Sequence, residues 1–178
     1  MIETVRLLLR RWSPDDLDDF AAIMANDLVG KYSLSRGGIP RERSEEILAN
    51  FIKHWDDRGF GPWAAIVKET RTLIGYIGLN TPFWFPAVMP AVEVGYRLHP
   101  SAWNQGYATE GAHEALRFGF ADHGLDEIIA IYEPENVASG RVMEKIGMQF
   151  RMEAPDPADE TATLRVYAIT KEKWRAGS

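Results

Sequence analysis

Residues 92–110 limit what this chain can become more than any other stretch. Val92, Val94, Tyr96 and Leu98 alternate with Glu93, Gly95, Arg97 and His99, the two-residue period of a strand with one better-buried face. Pro100 has no N–H for a ladder, so the strand ends near His99. Beyond it, Ala108, Ala112, Ala115, Leu116 and Gly119 recur at helical spacing, a stripe of small residues suited to lying close on a sheet. That helix begins between positions 104 and 106 and runs to about 122. A helix start leaves amide N–H groups without internal partners and carries partial positive charge, so it favours an anion. Asn104, Gln105, Gly106, Tyr107, Ala108 and Thr109 form that start, and Gly106 and Ala108 keep bulk away from an approaching phosphate. An ordinary strand–loop–helix connection has the same pattern, so periodicity leaves both readings open.

The rest of the chain supplies elements on both sides. A first strand lies within residues 4–12. Ser13, Pro14, Asp15 and Asp16 then give an N-cap, a proline and acids in a first helical turn, followed by Leu17, Phe20, Ala21 and Met24 on one face. Residues 27–40, with Gly30, Gly37, Gly38 and Pro40, read as a loop bordering a site. A second helix follows over residues 41–58. Two strands, 63–68 and 73–79, read as a hairpin across a charged turn. Residues 80–90 form a loop with three adjacent aromatics, Phe83, Trp84 and Phe85, which either line a pocket, make a dimer contact or tuck onto the core. A β-branched strand over 126–132, a helix over 137–146 ended by Gly147, a strand over 148–152, an acidic loop over 156–161 and a strand over 163–170 complete the order.

Residues 59–64, from Gly59 through Gly61 to Ala64, look like Gly-x-Gly-x-x-Ala, but they follow a helix and precede a strand, the reverse of a dinucleotide-binding turn. With 178 residues the chain has room for one domain, 1–178, whose core spans about 5–171. A net charge of −6 without any basic run argues against nucleic acid as a partner. The chain contains no cysteine, which excludes a thiolate nucleophile and a covalent thioester on the protein. No stretch approaches 18 apolar residues, so no membrane association is expected and the expected location is cytoplasmic. His54, His99, His113 and His123 show neither HExxH spacing nor a carboxylate cluster, so no metal site is expected.

The run Trp103-Asn104-Gln105-Gly106-Tyr107-Ala108-Thr109-Glu110, after the strand ending in Arg97 and Leu98, resembles motif A of the GNAT superfamily of N-acetyltransferases. In that motif Gln/Arg-x-x-Gly-x-Gly/Ala carries the pyrophosphate of acetyl-CoA on backbone amides; here it maps to Trp103-x-x-Gly106-x-Ala108. Tryptophan departs from the general pattern but is common in the RimJ/RimL-like branch of ribosomal-protein N-terminal acetyltransferases. Asn136-x-x-Ser139-x-Arg141-x-x-Glu144-Lys145-x-Gly147 is typical of the same branch. The two motifs stand in the right order, and the likeness covers nearly the whole chain, most specifically residues 92–152.

The resemblance implies an α+β GNAT fold: a mixed, mostly antiparallel sheet of about seven strands, flanked by about four helices and splayed between its fourth and fifth strands. It implies acetyl-CoA as cosubstrate, with pantetheine on main-chain groups of Tyr96, Arg97 and Leu98, pyrophosphate on residues 104–109, and further contacts from Asn136 and Arg141. The implied reaction is direct attack by a primary amine, either a peptide N-terminus or a small molecule, with Glu93 as general base through water and Ser139 as proton donor to the departing thiolate. The residue types leave bland alternatives: a solvated carboxylate for Glu93, an exposed helix charge for Arg141, and for Asn136 and Ser139 the N-cap and N3 positions of a helix. A CoA-binding sensor or interaction module without turnover is the competing class. Oligomeric state is open between monomer and homodimer.

Overall fold

The computed structural model describes residues 1–33 and 36–177. Its centre is an eight-stranded sheet in the order β1-β2-β3-β4-β5-β6-β8-β7. In chain order the strands are β1 (Ile2–Glu3), β2 (Leu7–Arg10), β3 (Pro62–Val67), β4 (Thr72–Asn80), β5 (Glu93–Leu98), β6 (Glu127–Tyr132), β7 (Gln149–Asp156) and β8 (Asp159–Thr170). Among the described residues there are six α-helices: α1 (Leu17–Met24), α2 (Asp27–Gly30), α3 (Arg41–Arg58), α4 (Tyr107–Arg117), α5 (Val137–Lys145) and α6 (Lys171–Ala176). Neighbouring strands are antiparallel except β5 and β6, which run parallel.

Strand alternation sorts the core into two layers. Trp63, Ala65 and Val67 of β3, with Ile77, Leu79 and Val94, pack beneath Ala112, Ala115 and Leu116 of α4. Ala64 lies in a second cluster with Trp12, Phe20, Ile23, Leu48 and Phe51, where α1 and α3 cover the sheet. Ser13 starts the first helical segment with a capping box closed by Asp16, which Arg10 also grips through two hydrogen bonds of 2.7 and 2.6 Å.

The expected seven strands and four helices become eight and six, and the additions are short pieces in which periodicity has no room to show. β1 is a two-residue strand paired with β2. α2 is one turn inside the expected 27–40 loop, capped by Asn26, whose Oδ1 accepts the Leu28 N–H at 3.0 Å; positions 34 and 35 of that loop lie outside the described residues. The expected acidic loop at 156–161 is instead the tight end of the β7–β8 hairpin. There Asp156 and Asp159 each accept an N–H two residues on, from Ala158 at 2.8 Å and Thr161 at 3.0 Å.

Close seating of α4 depends on glycine. A Cβ on Gly111 would come within 2.4 Å of Ile77 Cδ1. Gly111→Ala should therefore lower the denaturant midpoint, overpacking of ~1–3 kcal/mol outweighing a helix-propensity gain of ~1 kcal/mol. In an Ile77→Val background, which removes the Cδ1 methyl, the same substitution should cost less; strict additivity in chemical denaturation would contradict this packing account.

Candidate active site

β5 and β6 pair only at Glu93 and Ile129, where the Ile129 N–H donates to the Val92 carbonyl at 2.9 Å. Past that point the strands part. The register between β4 and β5 runs unbroken from Asn80 opposite Glu93 to Gly75 opposite Leu98, and the His99 N–H donates to the Ile74 carbonyl at 2.8 Å. Because main-chain groups alternate sides along a strand, this parity turns those of Arg97 toward β4 and those of Val94, Tyr96 and Leu98 toward the gap. The Leu98 carbonyl is already engaged: it accepts the indole N–H of Trp103 at 2.8 Å. The gap opens into a cleft of about 870 Å³ that reaches both faces of the sheet.

At one end of the cleft lies the start of α4. Its N-cap, Gly106, has φ of 83° and provides no side-chain hydrogen bond, and Asn104 is also left-handed at 58°. Two left-handed residues before a helix turn successive amides inward, the concavity that suits an anion. A brace outside the loop fixes it. Glu110 accepts from the Thr4 hydroxyl at 2.6 Å and from the Arg6 N–H and Nε at 2.7 Å each, and Arg6 Nη1 donates to the Gln105 carbonyl at 2.7 Å. The Arg6 guanidinium also lies 4.6 Å from the centre of the Tyr107 ring. Despite its burial, Glu110 is held below the usual carboxylate range by the hydrogen bonds of Thr4 and Arg6. No local pattern marks Thr4 and Arg6, whose partner Glu110 stands 106 and 104 positions along the chain.

On the α4 face, the Tyr96 phenol reaches the start of α5. Its oxygen is 2.9 Å from Ser139 Oγ and 3.0 Å from the Ser139 carbonyl, to which it donates. Burial, with Glu93 and Tyr132 nearby, pushes the phenol pKa up, so it stays protonated. Asn136 caps α5, its Oδ1 accepting the Ser139 N–H at 3.2 Å. Asn136 and Ser139 thus serve the helix start, and Ser139 in addition presents its hydroxyl beside Tyr96. Arg141 is exposed along the cleft. A Cβ on Gly140 would meet the Tyr132 ring at 3.0–3.1 Å, so glycine there lets α5 lie against that phenol.

The opposite face of β5 presents Glu93, Gly95 and Arg97. Glu93 keeps some accessible surface, yet removal from water pushes its pKa up to about 8, against the opposing pull of the Ile131 amide and the Arg97 guanidinium. Leu28, Val29, Tyr32, Phe51, Tyr76 and Trp84 wall this side of the cleft. The aromatic loop divides its labour: Phe85 is buried, Trp84 stacks on it at 5.3 Å and lines the cleft, and Phe83 is exposed beneath Arg58. His54 is engaged structurally, with Nδ1 2.8 Å from the Phe60 carbonyl and Nε2 3.2 Å from the Thr81 hydroxyl. Among the described residues no helix is long and apolar enough to cross a membrane.

Comparison with known proteins agrees with this arrangement. The family described as acetyltransferase (GNAT) domain matches residues 6–149. The uncharacterized N-acetyltransferase YnaD of Bacillus subtilis is 31% identical over 176 residues, covering 97% of this chain and 98% of the relative. A GNAT-family acetyltransferase structure from Bacillus anthracis superposes with a TM-score of 0.80 at 28% identity, covering 96% of this chain and 98% of the other. A ribosomal-protein-S5-alanine acetyltransferase from Vibrio fischeri shares the fold, with a TM-score of 0.77 at 16% identity and 97% of each chain covered. With a splayed parallel pair in the middle of the sheet, an uncapped helix start at its mouth and a family match over most of its length, the chain belongs to the GNAT acetyltransferase family.

Proposed function

We propose that this protein transfers the acetyl group of acetyl-CoA to a primary amine by direct attack. The observation that carries the reading is the junction, in one cleft, of an uncapped helix start, outward-facing main-chain groups on β5, and two proton-handling groups on opposite faces of that strand. Acetyl-CoA supplies a thioester that a neutral amine can attack, with the CoA thiolate as leaving group. The residues fit it: amides of residues 104–109 suit the pyrophosphate, and Tyr96 and the Leu98 N–H suit the pantetheine amides. The Leu98 N–H is also the group placed to steady negative charge on the thioester oxygen. Arg141 is the candidate for a CoA phosphate, and Asn136 for pantetheine through the part of its amide not used in capping.

Glu93 takes the acceptor's proton, through water. At a pKa of about 8 it is a stronger base than an ordinary carboxylate and matches an α-amine, whose pKa is about 7.7–8.0. Ser139 donates to the departing sulfur, and Tyr96 orients it. When the phenol donates to the Ser139 carbonyl the serine proton turns toward Tyr96; when the phenol donates to Oγ, that proton is free for the thiolate. A peptide N-terminal amine, as in the RimJ/RimL-like branch, is the first acceptor to test and a small-molecule amine the second. A non-catalytic CoA-binding module would need neither the raised Glu93 nor the Tyr96–Ser139 pair.

Three measurements test these roles. CoA thiol release should follow addition of acetyl-CoA to a panel of peptides and amines; stoichiometric acetyl-CoA binding with no release from any acceptor would favour the module. Ser139→Ala should lower kcat roughly tenfold to a hundredfold while leaving the acetyl-CoA KM nearly unchanged, and an unaltered kcat removes Ser139 from the mechanism. Glu93 ionises as pH rises through about 8, so the deficit of Glu93→Gln should widen across that range. Parallel pH profiles for the two proteins would discard Glu93 as base.

A further inference from the structure

The acceptor side of the cleft carries its acids and its cations in different places. Glu133 pairs with Arg36, whose Nη1 lies 2.5 Å from its carboxylate, and Asp156 and Asp159 each lie 4.0 Å from the same guanidinium, so three carboxylates share that one cation. Removal from water raises the Glu93 pKa to about 8, which weakens it as a counter-charge to Arg97 near neutral pH. Lys31 and Arg97 line the same side and, among the described residues, neither is in an ion pair. Lys31 lies 4.9 Å from the Tyr32 ring centre and Arg97 5.9 Å from that of Tyr76. Between Arg97 and Glu93 on the same strand face stands Gly95, where an added Cβ would meet nothing within 4 Å. That open place is flanked along β5 by an acid on one side and a cation on the other, each about 7 Å away. Apolar side chains of Leu28, Phe51 and Trp84 complete the wall.

We propose that the acceptor is an amine that also carries a carboxylate on an apolar body. Its amine lies over Gly95 toward Glu93, its carboxylate pairs with Arg97, and Lys31 adds positive potential at the entrance. The inference rests on the acetyltransferase reading above and narrows its acceptor. It also gives Arg97 a side-chain task, its main chain being turned toward β4. Arginine suits the task because its planar fork binds a carboxylate through two hydrogen bonds.

The test compares acceptors that differ only in the carboxylate: leucine with leucinamide, phenylalanine with phenylalaninamide, and a short peptide beginning with Asp with the same peptide beginning with Asn. For each pair, the ratio of kcat/KM values is measured in wild type, Arg97→Gln and Arg97→Lys, by CoA thiol release. Dividing the wild-type ratio by the variant ratio cancels the differing amine basicities. The preference for at least one carboxylate partner should fall roughly tenfold to a hundredfold in Arg97→Gln and be partly retained in Arg97→Lys, with the acetyl-CoA KM unmoved. The free amino acids and the peptide pair separate a small-molecule source of the carboxylate from a peptide one. A ratio unaffected by Arg97→Gln overturns the proposal, as does acetylation of neutral amines alone. Both outcomes leave the transferase reading intact, whereas no thiol release from any acceptor overturns that reading and this proposal with it.

Discussion

The structure depends on one unfinished strand pairing. A parallel pair in the middle of a sheet ordinarily continues its ladder, because exposed main-chain groups at an edge invite another strand. Here β5 and β6 meet at Glu93 and Ile129 and then separate, leaving β5 with an internal edge. An extended, amide-bearing ligand answers such an edge as a strand would. The surrounding elements keep the opening from closing: α4 and α5 stand over one face, α3 and the segment around α2 over the other, and the β7–β8 hairpin holds β6 from beyond.

Strand parity then separates the tasks. Even-numbered residues of β5 send side chains toward α4 and α5, where Tyr96 meets Ser139, and turn their main chain into the gap. Odd-numbered residues spend their main chain on β4 and give their side chains, Glu93 and Arg97, to the other face. Six residues therefore provide a gap-facing edge, the proposed base and the partner of the proposed proton donor without any of these competing for space. Tight register makes this possible, since a slip by one residue would exchange every assignment.

The features of the proposed donor half were legible in the sequence, and those of the proposed acceptor half were not. Recognition through backbone leaves a trace in what must be small or left-handed, so Gly106 and Ala108 after a terminating strand point to an anion site. Asn136 and Ser139 were legible as helix-start residues for a similar local reason. The cleft wall proposed for the acceptor draws on Leu28, Phe51, Tyr76 and Trp84, which lie far apart and each fit an ordinary core pattern. The Thr4–Arg6–Glu110 brace and the Trp103 indole on the Leu98 carbonyl are likewise products of folding, with no local spacing to announce them. Short elements such as β1, α2 and α6 escaped because a turn or two residues cannot display a period.

The raised pKa of Glu93 carries a thermodynamic consequence. In the unfolded chain this carboxyl ionises near its ordinary value of 4.5, whereas in the folded protein it keeps its proton until about pH 8. Between those values the folded state binds more protons than the unfolded one, so this residue's contribution to folding stability declines as the solution becomes more alkaline. The removal from water that suits the group to its proposed role is also what sets it against the fold. A buried carboxyl in the proposed role is thus bounded from two directions, by a proton transfer that gains from isolation and by a domain that must tolerate the isolated charge.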